Sequence, residues 1–218
     1  MPATLDPQRL FTGKHDLYAR FIRLVRYPRG LRAFFMHSAL LRSGLRVLDA
    51  GCGTGVVTLG LRDALVRRHL TPGTLHAFDL TPAILGRFRT TLARRAIDHV
   101  TTVQANVLHL DALPTGWTDY DLVVSASMLE YVPRDRFVEA LGGLRNRLRA
   151  DGHFVLFMTR RNWLTQPMIG RWWQSNLYRA AELREAFAQA GFSAFTFRKF
   201  PLAARYLSVW GYVMEATR

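Results

Sequence analysis

One cysteine, Cys52, occurs in the 218 residues, so no disulfide can form within the chain. A reducing, cytoplasmic setting fits that scarcity. Lysine is nearly as rare: Lys14 and Lys199 are the only two, and arginine supplies almost all of the positive charge. Acids are outnumbered, 16 against 30 Lys and Arg, leaving a net charge of +14. A genome that favours arginine codons accounts for this, and so does a surface that attracts nucleic acid, acidic lipid or an anionic substrate. No run approaches the roughly 18 apolar residues of a membrane span, and Met1–Leu10 has no apolar signal-peptide core. There is no CxxC or HExxH spacing, so no metal site is argued. Linkers, repeats and low-complexity segments are also missing. With 49% hydrophobic and 21% charged residues, the chain reads as one globular α/β domain over 1–218 rather than a disordered one.

What is present is organised around Leu45–Gly55, L-R-V-L-D-A-G-C-G-T-G. An apolar strand ends in Asp49, and Gly51, Gly53 and Gly55 follow at every second position. An apolar helix begins at Val56. A strand, a glycine turn and a helix hold a nucleotide-like ligand at the carboxyl edge of a parallel sheet. Glycine is needed where the turn is tight and a ligand touches backbone. The dinucleotide fingerprint G-x-G-x-x-G is not matched, because the third glycine comes one residue early.

The pattern V-L-D-x-G-x-G-x-G resembles motif I of the class I methyltransferases, which use S-adenosylmethionine. The resemblance covers roughly Lys14 to Arg218. It implies a Rossmann-like α/β fold: a mostly parallel seven-stranded sheet in the order 3-2-1-4-5-7-6, helices on both faces, and an antiparallel C-terminal strand. The cofactor would contact Asp49, Gly51, Cys52, Gly53 and Gly55. Asp79 ends the second strand, where an acid accepts hydrogen bonds from ribose hydroxyls, and Leu80 would lie beside the adenine. Asn106, followed by Val107, stands after the third strand where the family usually has Asp. Its amide oxygen can accept from the adenine amino group, or cap the loop. Ser125 and Ser127, in Y-D-L-V-V-S-A-S, would line the cofactor.

Further elements follow in order. Lys14–Tyr27 reads as an amphipathic helix stopped by Pro28-Arg29-Gly30, and Leu31–Leu41 as a second. Residues 1–43 would form a helical cap that brings His15 and Tyr18 to the substrate pocket, unless Tyr18 merely packs and His15 is solvated. Glu130 and Tyr131 are the polar groups nearest the expected methyl. Many small-molecule members have His at the place of Glu130, so a base role competes with that of a helix-start carboxylate. After Arg134–Arg149, a helix, Asp151-Gly152 turns the chain into a fifth strand, His153–Met158. Residues 159–178 hold Arg161, Trp163, Trp172 and Trp173 and read as a substrate lid, a dimer interface being the rival. Phe192–Phe200 and Tyr206–Ala216 read as two last strands joined through Pro201.

The implied reaction is in-line methyl transfer to a small organic or lipid-like acceptor, with S-adenosylhomocysteine as product. The S-A-S-M sequence after the fourth strand, in place of an N-P-P-Y-like tetrad, and the lack of a cysteine there argue against base methylation and a nucleic-acid partner. The arginine face of the first helix suits an acidic membrane surface, or simple solvation. A non-catalytic cofactor-binding subunit and a nicotinamide oxidoreductase are the alternatives.

Overall fold

The computed structural model describes residues 22–163, 165–166 and 175–218. His15, Tyr18, Arg171, Trp172 and Trp173 lie outside the described residues.

Seven strands form one sheet: β1 (Val47–Ala50), β2 (Leu75–Asp79), β3 (Val100–Gln104), β4 (Tyr120–Ala126), β5 (Leu148–Thr159), β6 (Ala194–Arg198) and β7 (Gly211–Thr217). Their order is β3-β2-β1-β4-β5-β7-β6, as the resemblance implies. β1 to β5 pair in parallel, while β7 runs antiparallel to both β5 and β6. Parallel strands at the sheet centre are covered on both faces, so they are mostly apolar; all four residues of β1 are buried, Asp49 included. Alternation assigns their sides. Phe154, Leu156 and Met158 of β5 pack with α4 (Phe137–Arg145) and α5 (Ala180–Gln189). Val155 and Phe157 pack with α1 (Tyr27–His37), α2 (Val56–Arg67) and α3 (Pro82–Arg94).

Three expected boundaries are corrected. Pro28 does not stop a helix; it stands in the first turn of α1, where its missing N–H costs nothing. The break falls earlier, between the helical residues 22–24 and α1, where Arg26 takes a φ of 53°. Asp151-Gly152 is not a turn before β5 but an irregularity inside it: Tyr120 pairs with Leu148 and Leu122 with His153, and Asp151 has a φ of 57°. Gly152 is tolerated there because a Cβ would crowd the carbonyl of Tyr120, 2.8 Å away. Tyr206–Trp210 is not strand. A 3-10 turn at Leu202–Ala204 leads into the short helix α6 (Leu207–Trp210), and β7 begins only at Gly211.

Candidate active site

The carboxyl ends of β1, β2 and β4 open into a cavity of about 370 Å³. The chain turns sharply after β1: the N–H groups of Gly51 and Cys52 both donate to the carbonyl of Phe78, at 2.9 Å each. Gly51 and Gly53 take φ values of 74° and 54°, a region that costs other residues about 1–2 kcal/mol. The Gly53 N–H donates to Oδ2 of Asp79 at 2.9 Å, and Oδ1 accepts from the Thr81 N–H at 2.9 Å. Burial raises the proton affinity of Asp79 and these bonds lower it, with a net upward shift.

Of the expected cofactor residues, Gly51, Cys52, Gly53, Asp79, Leu80, Asn106 and Val107 line this cavity. The amide oxygen of Asn106 accepts from the Leu108 N–H at 3.0 Å, so the capping role is realised. Three residues depart from the expectation. Gly55 faces α3, where an added Cβ would overlap the ring of Phe88. Ser125 is fully buried within β4 and its Oγ has no partner among the described residues. Ser127, two residues on, lines the wall instead. Asp49 lies beneath the loop, 2% exposed. Its Oδ2 accepts from both the N–H and the hydroxyl of Thr58. Its Oδ1 is buried without a partner among the described residues, and burial pushes its carboxyl up to about 7.

A second, smaller cavity of about 60 Å³ adjoins the first and shares Ile22, Tyr27 and Ser127 with it. Glu130 lines this one and Tyr131 the larger. Glu130 stands in the first turn of the short 3-10 helix Leu129–Tyr131; it is 1% exposed, and it accepts from the Thr159 N–H at 2.9 Å and the Thr159 hydroxyl at 3.2 Å. Ser127 carries a φ of 54° and donates its N–H to Phe157 at 2.9 Å. A non-glycine residue held in that region at the junction of two cavities is a strained conformation of the kind found at functional sites.

Of the described residues of 159–178, Thr159 alone lines either cavity. Trp163 is 86% exposed and Arg161 reaches Gln166, so neither walls the acceptor cavity as expected. Trp163 borders a shallow groove with Arg160, Lys199, Arg205 and Val209. The other end of the segment braces the site: Asn176 donates to the Glu130 carbonyl at 2.7 Å and to the Val132 carbonyl at 2.9 Å. Sequence reading missed Met128, which packs against Gly51, and the aromatic pair Trp210 and Tyr212 of the smaller cavity. Met128 had a signal, its place three residues after the β4 V-V-S run; Trp210 was hidden by the reading of α6 as strand.

Strand order, glycine loop and β2 acid together define the class I S-adenosylmethionine-dependent methyltransferase fold. Residues 48–154, just under half of the chain, match the family model described as "Methyltransferase domain". The carboxy-S-adenosyl-L-methionine synthase of Chromohalobacter salexigens is 32% identical over 117 residues, 53% of this chain and 40% of that protein. A non-reducing polyketide synthase of Penicillium shearii is 28% identical over 151 residues, 67% of this chain but 6% of its own length. The chain therefore spans less than half of either relative. Among solved structures, the magnesium protoporphyrin IX methyltransferase of Synechocystis with bound S-adenosylhomocysteine superposes with a TM-score of 0.70 at 16% identity, covering 97% of both chains. The citrinin polyketide synthase CMeT domain gives 0.61 at 16% identity, over 81% of this chain and 47% of that one. Such identities speak for the fold alone.

Proposed function

We propose that the chain transfers a methyl group from S-adenosylmethionine to a small organic or lipid-like acceptor. The observation that carries this is the junction of two cavities at Ser127, one walled by the glycine loop and Asp79, the other apolar with a single carboxyl. The residues fit the cofactor. A Cβ on Gly53 would meet no protein atom within 4 Å, so the space beside that backbone is left for a ligand. When bound, S-adenosylmethionine supplies a methyl on a positively charged sulfur, a leaving group that needs no further activation.

The residues of this chain position and exclude water. Gly51, Gly53 and Asp79 hold the nucleoside end, Leu80 flanks the base, and Asn106 and Val107 close the far wall. Asp49 fixes the loop through Thr58 rather than touching the ligand. Ser127 marks where the acceptor meets the cofactor, and proximity there accounts for much of the rate. Glu130 is the group within reach that can take a proton.

The magnesium protoporphyrin and citrinin neighbours bear names of small-molecule enzymes, which supports the acceptor class. A surface patch supports an amphiphilic one: Leu24, Trp163, Leu202, Tyr206 and Val209 are exposed, with Arg160, Lys199 and Arg205 among them. Tyr206 donates to the Val25 carbonyl at 3.0 Å and Asn162 to the Val209 carbonyl at 2.8 Å, which joins the segments that carry these residues. We infer that it rests on an acidic bilayer surface. Residues 1–218 are read as a single domain. Incubation with methyl-labelled cofactor and fractionated small molecules tests the activity. Transfer of label to an extractable product supports it. Cofactor binding without transfer to any fraction would favour a non-catalytic subunit.

A further inference from the structure

We propose that the smaller cavity accepts an ammonium head group, which pairs with Glu130 and gives its proton to that carboxylate before methylation. This deepens the methyltransferase reading and rests on it.

Glu130 is buried on the wall of a cavity whose other sides include Phe157, Trp210 and Tyr212. Among the described residues its two oxygens are met by neutral donors of Thr159 alone. Among the described residues no Lys, Arg or His forms an ion pair with it. Arg160 stands over the ring of Tyr212, its guanidinium carbon 5.4 Å from the centroid. Burial raises the proton affinity of Glu130 and only Thr159 opposes it. An isolated carboxylate is costly in such a place unless a cation joins it. An alkylammonium does so with a charge-assisted hydrogen bond, and aromatic walls favour the same cation. A hydroxyl acceptor brings no compensating charge, and a carboxylate or phosphate acceptor is repelled at short range in a poorly screened site.

The chemistry balances. The ammonium R–NH3+ gives a proton to the Glu130 carboxylate, leaving R–NH2 and a neutral acid. The nitrogen lone pair forms the N–CH3 bond as the S–CH3 bond breaks and its electron pair returns to sulfur. The methylated ammonium leaves with the positive charge, and Glu130 releases its proton to water. The cavity takes the reacting head group, and the remainder of the acceptor extends beyond it.

Calorimetric titration of the full chain loaded with S-adenosylhomocysteine uses three isosteric probes: benzylamine, benzyl alcohol and benzoate. Benzylamine is expected to bind at least about tenfold more tightly than benzyl alcohol, and benzoate not measurably. Glu130→Gln is expected to abolish that preference while S-adenosylhomocysteine affinity and circular dichroism stay unchanged. Equal binding of the alcohol, or a preference that survives Glu130→Gln, overturns the proposal. So does a loss in that variant confined to S-adenosylmethionine, which would make the cofactor's own sulfonium the counter-ion. If Glu130→Gln fails to fold, Thr159→Ala replaces it. Losing the hydroxyl donor is expected to move the pH midpoint of benzylamine binding upward, and an unmoved midpoint overturns the proposal. Absence of S-adenosylhomocysteine binding in the wild type would instead strike the methyltransferase reading itself.

Discussion

Gly53 and Gly55 sit two residues apart with positive φ values of 54° and 84°, yet they do different work. Gly53 borders open cavity; Gly55 leaves room for Phe88 of α3. Gly55→Ala is expected to lower stability by more than the roughly 1–2 kcal/mol of backbone strain, because the ring must also move, with cofactor affinity falling little in the fraction that folds. Gly53→Ala is expected to cost only the strain term in stability but to weaken S-adenosylhomocysteine binding at least tenfold. Thermal melts paired with titrations separate the two. Asp49 adds a pH dependence. Its folded carboxyl holds a proton up to about 7, against an ordinary value of 3.8, because burial disfavours the charge. Folded protein then binds more protons than unfolded between those values, so this group's stability is full below about pH 4 and is lost as pH rises through 7. His76 opposes part of this slope: burial and then Arg46 lower it to about 4, so its contribution is present above its ordinary value of 6.5 and is lost as pH falls toward 4. Asp49→Asn keeps the shape and removes the Asp49 part alone. Melting temperature in that variant is expected to fall less from pH 4.5 to 7.5 than in the wild type, and an identical fall would show that another group sets the slope.

At the scale of elements, α1 and α6 meet at Gly30, where an added Cβ would overlap the Leu207 side chain. Leu207 and Trp210 of α6 also line the smaller cavity. Gly30→Val is therefore expected to displace α6 and raise the acceptor's KM severalfold, leaving the affinity for S-adenosylhomocysteine within twofold. Overpacking of this kind costs about 1–3 kcal/mol. An unchanged KM would mean that α6 does not shape the acceptor site. Elements with a strong local signal were legible in the sequence: β1, the glycine turn, β2 with Asp79, and β4 all stand where apolar runs and turn residues placed them. Which residue of a run faces the ligand was not. Strand alternation buries Ser125 while the positive φ of Ser127 turns it to the wall. Apolar residues at Leu207, Val209 and Trp210 suit a strand as well as a helical turn, and only the docking of Leu207 against Gly30 decides between them. The role of Glu130 was equally hidden, since its partner Thr159 is 29 residues away.

For the whole molecule, a net charge of +14 and one exposed apolar patch with arginine and lysine among it bear on the acceptor's source. Vesicles with 30% anionic lipid are expected to sediment the protein at low salt, and neutral vesicles are not, because screening and loss of surface charge remove the attraction. Trp163→Ser with Leu202→Ser is expected to cut that binding severalfold by removing buried apolar area. Equal sedimentation with neutral vesicles would leave charge without a role. Among the described residues no helix is long and apolar enough to cross a membrane.

Calorimetric titration with S-adenosylhomocysteine and with NAD, on wild type and Asp79→Ala, tests the central claim most directly. Asp79 joins the glycine loop to the end of β2 through its bonds to Gly53 and Thr81, so its loss removes charged hydrogen bonds each worth about 1.5–3 kcal/mol. The wild type is expected to bind one S-adenosylhomocysteine and no NAD, and Asp79→Ala to bind it at least tenfold more weakly while remaining folded by circular dichroism. Tight NAD binding, or S-adenosylhomocysteine affinity indifferent to Asp79, would contradict the account.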